Sequence, residues 1–421
     1  MNPYLIEWLS LLGRWLHLVA GIAWIGASFY FIWLDNHLVP LAAGGGAGAA
    51  GGSAGAAGGS AGAASVGAGE AIAGELWAVH GGGFYNSRKY RVAPPVLPPT
   101  LHWFYWEAYT TFLSGFFLLC LLYYAQADIY LIDPGVAALS KPTAIAIGIA
   151  FLVGGWVIYD VLCRSPLGRR SGLLGAVLAV LLAVAAWGLC NLFSGRGAYI
   201  EFGALLGTIM AANVFFVIIP GQRDLVRAKQ AGRDPDPRHG IAGKLRSTHN
   251  TYFTLPVLFV MISNHYAMTF GARYNYLVLI AISAAGACIR VYLVQRHKAA
   301  DRAGYTSPWT AVLGVLLLGG VAFALAPAHN RAERAAVPSF ARIQSIVAAR
   351  CTACHAVNPT QPGFTAAPNG VLLDTPEHIL AHVVQMHEQI ATRAMPLGNI
   401  TGITEEERVE MLTWLQNVSP R

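Results

Sequence analysis

The chain has 421 residues, of which 55% are hydrophobic and only 12% charged, about half the charged share of a soluble domain. That composition excludes an ordinary soluble enzyme and points to a lipid bilayer as the main solvent. The net charge of +7, from 28 Lys+Arg against 21 Asp+Glu, sits in a few short connections; it reads as membrane topology and gives no grounds for a nucleic-acid partner.

In chain order, apolar runs of about 20 residues, long enough to cross a bilayer, occur near 5–34, 102–126, 142–160, 171–191, 200–220, 251–270, 276–295 and 308–326. They predict an all-α polytopic bundle of about eight spans. The first run lacks a basic amino-terminal region and is too long for a signal peptide, so it is expected to stay in the mature protein. Residues 41–69 are almost wholly Gly and Ala, cannot build a core, and read as a flexible low-complexity insert. The neighbouring segment carries His80, the triplet Gly81-Gly82-Gly83, Phe84 and Tyr85, either a structured loop whose backbone N–H groups can approach a ligand or a tight turn.

Basic residues fill the connections after spans three (Arg164, Arg169, Arg170), five (Arg223, Arg227, Lys229, Arg233, Arg238, Lys244, Arg246) and seven (Arg296, Lys298, Arg302). The positive-inside rule makes these cytoplasmic and puts both termini on the periplasmic side of a bacterial inner membrane. Within or beside the spans lie His17, His102, Glu107, Glu201, Asn213, His249 and His265. By depth, His102, Glu107 and His249 fall near the cytoplasmic boundary, His17 near the middle and His265 in the outer half. Such groups are costly in a membrane. They are candidates for a substrate site, for helix-packing hydrogen bonds, or, at His17, His102 and His265, for a haem b or a relay. Cys120, Cys163, Cys190 and Cys288 read as ordinary buried residues.

After span eight, Ala326-Pro327 ends the helix and a short linker leads to about eighty residues, dividing the chain at 330/331. An apolar helix from Phe340 to Val347 runs into Cys351-Thr352-Ala353-Cys354-His355. Cys-x-x-Cys-His is the haem attachment signature: two thiols for thioether bonds and an adjacent histidine for the iron. One covalent haem c is therefore expected, in a small class I-like cytochrome c domain at 331–421. Met395, in a loop stiffened by Pro396, is the candidate sixth ligand, with Met386, Met411, His378, His382 and His387 as rivals. Thr404 followed by Glu405, Glu406 and Glu407 opens a final amphipathic helix.

The stretches Gly21–Tyr30, Gly74–Tyr85, Trp106–Thr111, Thr248–Tyr252 and Ser263–Tyr266, together with the haem motif, resemble the membrane-bound urate oxidase family, the urate hydroxylase PuuD type. The resemblance implies oxidation of urate to 5-hydroxyisourate, with electrons passed through the cytochrome domain to a respiratory-chain acceptor such as a terminal oxidase or a soluble cytochrome. Urate is an anionic planar purine that calls for Arg or N–H donors, a stacking face and a proton acceptor. His80, Phe84, Tyr85 and Arg88, with His102, Glu107, His249 and Asn250 close in depth, offer these. His249, Glu107 and His80 are the catalytic candidates. The alternative is a non-enzymatic membrane cytochrome that carries electrons between quinol and a terminal oxidase; eight spans are more than an anchor needs.

Overall fold

The protein is described by a computed structural model covering residues 3–40, 72–299, 307–326 and 337–418. The insert at 41–69 and the domain boundary expected at 330/331 lie outside the described residues.

The long helices are α1 (Pro3–Asn36), α2 (Trp106–Leu119, continued by a π-turn over Cys120–Tyr124), α3 (Lys141–Arg164), α4 (Ser171–Cys190), α5 (Gly195–Asn213) with a π-turn over Val214–Ile218 leading into α6 (Ile219–Gln230), α7 (Pro237–Ser263), α8 (Asn275–Ala299) and α9 (Trp309–Ala324). Local chemistry starts them where they start. Ser140 Oγ accepts from Thr143 N ahead of α3, with Pro142 in its first turn, and Ser194 Oγ accepts from Gly197 N ahead of α5. Tyr159, Phe193, Tyr199, Leu174, Leu189, Leu206 and Leu279 form the buried core. Large apolar side chains such as Trp15, Val153, Trp187 and Phe323 point outward, the pattern of helices facing lipid.

Among the described residues, six stretches are long and apolar enough to cross a membrane: Leu5–Asn36, Trp106–Tyr124, Lys141–Arg164, Ser171–Cys190, Gly195–Gln230 and Asn275–Arg296. Two of the eight expected spans are not among them. In α7 the first half carries Arg238, His239, Lys244, Arg246 and His249, and the helix stops at Ser263, so its apolar half is too short. Helix α9 has 16 residues, about 24 Å against an apolar core of about 30 Å. Both pack on the bundle, α7 against α5 and α8, α9 against α8.

Among the described residues the helical architecture has one β element. Strands β1 (Ile72–His80) and β2 (Gly83–Tyr90) pair antiparallel, with His80 opposite Gly83. Gly81 and Gly82 take φ of 58° and 81°, the left-handed pair that a two-residue hairpin turn needs. The glycine triplet thus makes the tight turn. The hairpin is tied to the end of α1 by a Val39–Glu75 bridge and a Lys89–Asp35 ion pair.

Toward the C-terminus, α10 (Phe340–Arg350), α11 (Val383–Ala391) and α12 (Glu405–Val418) enclose a separate core of Ile343, Ile346, Val347, Ile379, Val383, Met411 and Leu415, with Phe340 stacked on Trp414 at 5.4 Å. Ser339 caps α10. At α12, Thr404 Oγ1 accepts from Glu407 N (3.2 Å) while Glu407 Oε2 accepts from Thr404 N (2.9 Å), a reciprocal capping box.

The C-terminal unit sits at one end of the bundle. Gly398, at φ 53°, approaches the connection after α2 so closely that a β-carbon there would lie 2.8 Å from the carbonyl oxygens of Ile129 and Ile132. Ser194 Oγ donates to Tyr130 O (2.7 Å) and Tyr199 OH to Asn275 O (2.8 Å), gathering the connections after α2, α4 and α7 at that end. The basic connections after α3 and α5 occupy the opposite end.

Candidate functional site

Two places concentrate chemistry. The first is a cavity of about 280 Å³ in the C-terminal unit, whose lining includes Cys351, Cys354, His355, Met386, Met395 and Met411. Helix α10 delivers the two cysteines and the histidine to it. His355 Nδ1 lies 2.9 Å from Val371 O; a carbonyl can only accept, so Nδ1 carries the hydrogen and Nε2 is left with its lone pair free. Both cysteines are free thiols. Burial pushes the Cys351 thiol up to about 12 and the Cys354 thiol in the same direction. That is the opposite of the lowered range of a thioredoxin-like redox cysteine. Met395 is half-buried in the loop before α12, where Arg408 Nη1 donates to its carbonyl (2.9 Å). Met386 and Met411, in contrast, are part of the hydrophobic core. His382 also lines the cavity, and its Nδ1 is buried with no hydrogen-bond partner among the described residues.

The second place is a buried polar network near the opposite end of the bundle, built by α3, α5 and α7. His249 Nδ1 and Tyr159 OH share a 2.8 Å hydrogen bond. Asn213 Nδ2 donates to Tyr159 OH (3.0 Å) and to Asn250 Oδ1 (2.9 Å). Arg246 Nη1 donates to Asn213 Oδ1 (3.2 Å) and Nη2 to Asp160 Oδ1 (2.6 Å), with the guanidinium 4.9 Å from the Tyr159 ring centroid. Tyr159, Asn213, Arg246, His249 and Asn250 are all buried. The helical repeat explains the set: Arg246, His249 and Asn250 stand at i, i+3 and i+4 on α7, facing Tyr159, Asp160 and Cys163 at i, i+1 and i+4 on α3. With Nδ1 committed to Tyr159, His249 Nε2 makes no hydrogen bond among the described residues.

The other catalytic candidates stand elsewhere. His80 is exposed at the hairpin tip, and Glu107 lies in the first turn of α2; neither shares a hydrogen bond with His249. The three relay or haem b candidates are spread along α2. His102 precedes it, exposed and edge-on to Phe104 at 4.6 Å. His17 Nδ1 donates to Thr111 O (2.9 Å) beside Gly115, where a β-carbon would sit 2.7 Å from the imidazole. His265 is exposed next to Asn264, whose Nδ2 donates to Tyr123 OH (2.9 Å) at the far end of α2. Tyr159 and Asp160 carry no signal of a site along the chain, and Cys163 reads there only as a buried residue. Arg246 reads as a topology charge, and its i, i+3 spacing from His249 is the signal that points to the network.

A family model described as urate oxidase N-terminal matches residues 3–326 of this chain. No curated protein and no solved structure matches it. The matched span contains the whole His249 network and ends ahead of the C-terminal unit.

Proposed function

Because the chain belongs to the urate oxidase N-terminal family over residues 3–326, we propose that it is a membrane-bound urate hydroxylase that converts urate to 5-hydroxyisourate and passes the electrons out through one covalent haem c. The observation that carries this reading is the convergence of Cys351, Cys354, His355 and Met395 on one cavity, attached to a bundle of that family.

The donor set fits the group. Cys351 and Cys354 would form the thioether bonds, His355 Nε2 would be the proximal ligand and Met395 the distal one. Met395 is preferred to its rivals because Met386 and Met411 fill the core. His382 Nδ1, buried with no hydrogen-bond partner among the described residues, would be available to a polar atom of the group. When bound, the haem supplies a one-electron acceptor that delivers to a terminal oxidase or a soluble cytochrome. Residues 1–330 are then the urate-oxidising membrane domain and 331–421 a cytochrome c domain on the periplasmic side of a bacterial inner membrane.

Oxidation of urate consumes one water and releases two protons and two electrons. His249 would exchange a proton at Nε2, which has a free lone pair in the tautomer whose Nδ1–H donates to Tyr159 OH, the contact that fixes the ring. Arg246 is already paired with Asp160, so it positions the network through Asn213. The test is urate-driven haem reduction in isolated membranes: urate reduces the haem in the parent protein, and His249→Gln keeps the c-type spectrum while slowing this by about a hundredfold, the scale of a lost acid/base group. Haem that urate does not reduce sinks the enzyme reading in favour of a plain electron carrier.

A further inference from the structure

Helix α5 carries a second buried polar group that the His249 network does not use. Glu201 has no accessible surface. No hydrogen bond of ordinary length satisfies either carboxyl oxygen of Glu201 or the hydroxyl of Tyr124 among the described residues, although the two side chains stand close enough to interact. Yet they come together. A β-carbon on Gly148 of α3 would sit 2.8 Å from Glu201 Oε1 and 3.0 Å from Tyr124 OH, so only glycine leaves room where the two polar ends meet. Tyr124 is the last residue of the π-turn that widens the end of α2, and π-turns inside helices mark functional positions more often than ordinary turns do. Two orphaned polar groups around a small gap, in an otherwise apolar core, describe a place for a bridging water.

The surroundings connect this gap to the C-terminal cavity. Tyr123, next in chain, has its ring 6.1 Å from that of Tyr130, and the neighbouring Ile129 lines the cavity that holds Cys351 and His355. Glu201 stands six residues into α5 from this end, about 9 Å along the axis, and twelve residues, about 18 Å, from Asn213. The ionisable groups that interact with it among the described residues are Tyr124 and Cys120, both from the end of α2, and Gly148 of α3 lies against it.

We propose that Glu201, bridged by water to Tyr124, is a proton-binding site coupled to the electron carrier of the C-terminal unit. The coupling rests on the haem reading above. An electron arriving from substrate reduces the iron from ferric to ferrous, and a proton from solution adds to the Glu201 carboxylate; both leave when the acceptor takes the electron. Charge in the low-dielectric bundle stays balanced, which is what a buried carboxyl with no cationic partner among the described residues can supply.

The experiment is infrared difference spectroscopy on the full-length protein in lipid nanodiscs, during pH steps and during electrochemical reduction, together with the haem midpoint potential as a function of pH. The parent protein shows a carboxylic acid C=O band that grows on reduction, and its potential falls as pH rises. In Glu201→Gln the band is absent and the pH dependence is lost, with covalent haem content unchanged; Glu201→Asp restores part of both. Should Glu201→Gln fail to fold, Tyr124→Phe keeps the carboxyl and shifts the band while weakening the pH dependence. A band at Glu201 that ignores reduction, or an unaltered pH dependence in either variant, overturns the proposal. The pH-step spectra need neither urate nor haem, so loss of the urate reading is seen separately, as a parent protein whose haem urate does not reduce.

Discussion

At the scale of the residue, His355 shows how one backbone contact prepares an imidazole. Val371 O fixes the hydrogen on Nδ1 and leaves Nε2 with its lone pair free. The thioether assignment predicts that Cys351→Ala with Cys354→Ala removes haem that survives denaturing electrophoresis, whereas Met395→Ala keeps the covalent band and opens the iron to small ligands. A haem-stained band persisting in the double cysteine variant defeats the assignment. The structure brings these residues to one cavity, and the motif that names them is local, five consecutive positions. The network around His249 was legible only in part. His249 and Asn250 stood out as polar groups in an apolar run, but Tyr159, Asp160 and Arg246 acquire meaning only across helices, and no spacing along the chain says that α3 and α7 face each other.

At the scale of the element, α3 and α7 are joined by a buried ion pair, with the Arg246 side chain 3% and Asp160 13% exposed. Removing one partner of such a pair leaves a stranded charge, at a cost of about 3–5 kcal/mol. Asp160→Asn is therefore expected to lower stability by that order in a denaturant titration of the detergent-solubilised protein, and Asp160→Asn with Arg246→Met to recover much of the loss. Additive losses in the double variant would mean the two do not act as a pair. Elements were read well where hydrophobic length alone decides, as in α1, α3, α4 and α8. They were read less well where it does not. In α7 a polar half continues the same helix beyond the apolar run, and the hairpin was hidden because exposed Trp77, Val79, Phe84 and Tyr85 give it no apolar face turned to a core. Thr404 and Glu407, by contrast, signalled the start of α12 through the cap geometry itself.

At the scale of the whole molecule, the two sets of connections lie at opposite ends, with the C-terminal unit on the poorly charged one. The positive-inside rule then predicts that a reporter fused after Arg421 is active only in the periplasm, and one inserted at Gly232 only in the cytoplasm. Both reporters active in one compartment would refute the arrangement. The same geometry gives Ile129 a role that its own neighbourhood in sequence does not suggest. It belongs to the bundle, yet it walls the cavity of the C-terminal unit, so part of the dielectric around a haem held there is supplied by the other end of the chain. A C-terminal unit cut free would keep its ligands but admit water where Ile129 stood, and solvent exposure is one of the settings of a haem's potential. If the C-terminal unit holds a haem as proposed, bundle and cytochrome are tuned as one instrument, and exchanging either part between relatives would detune both.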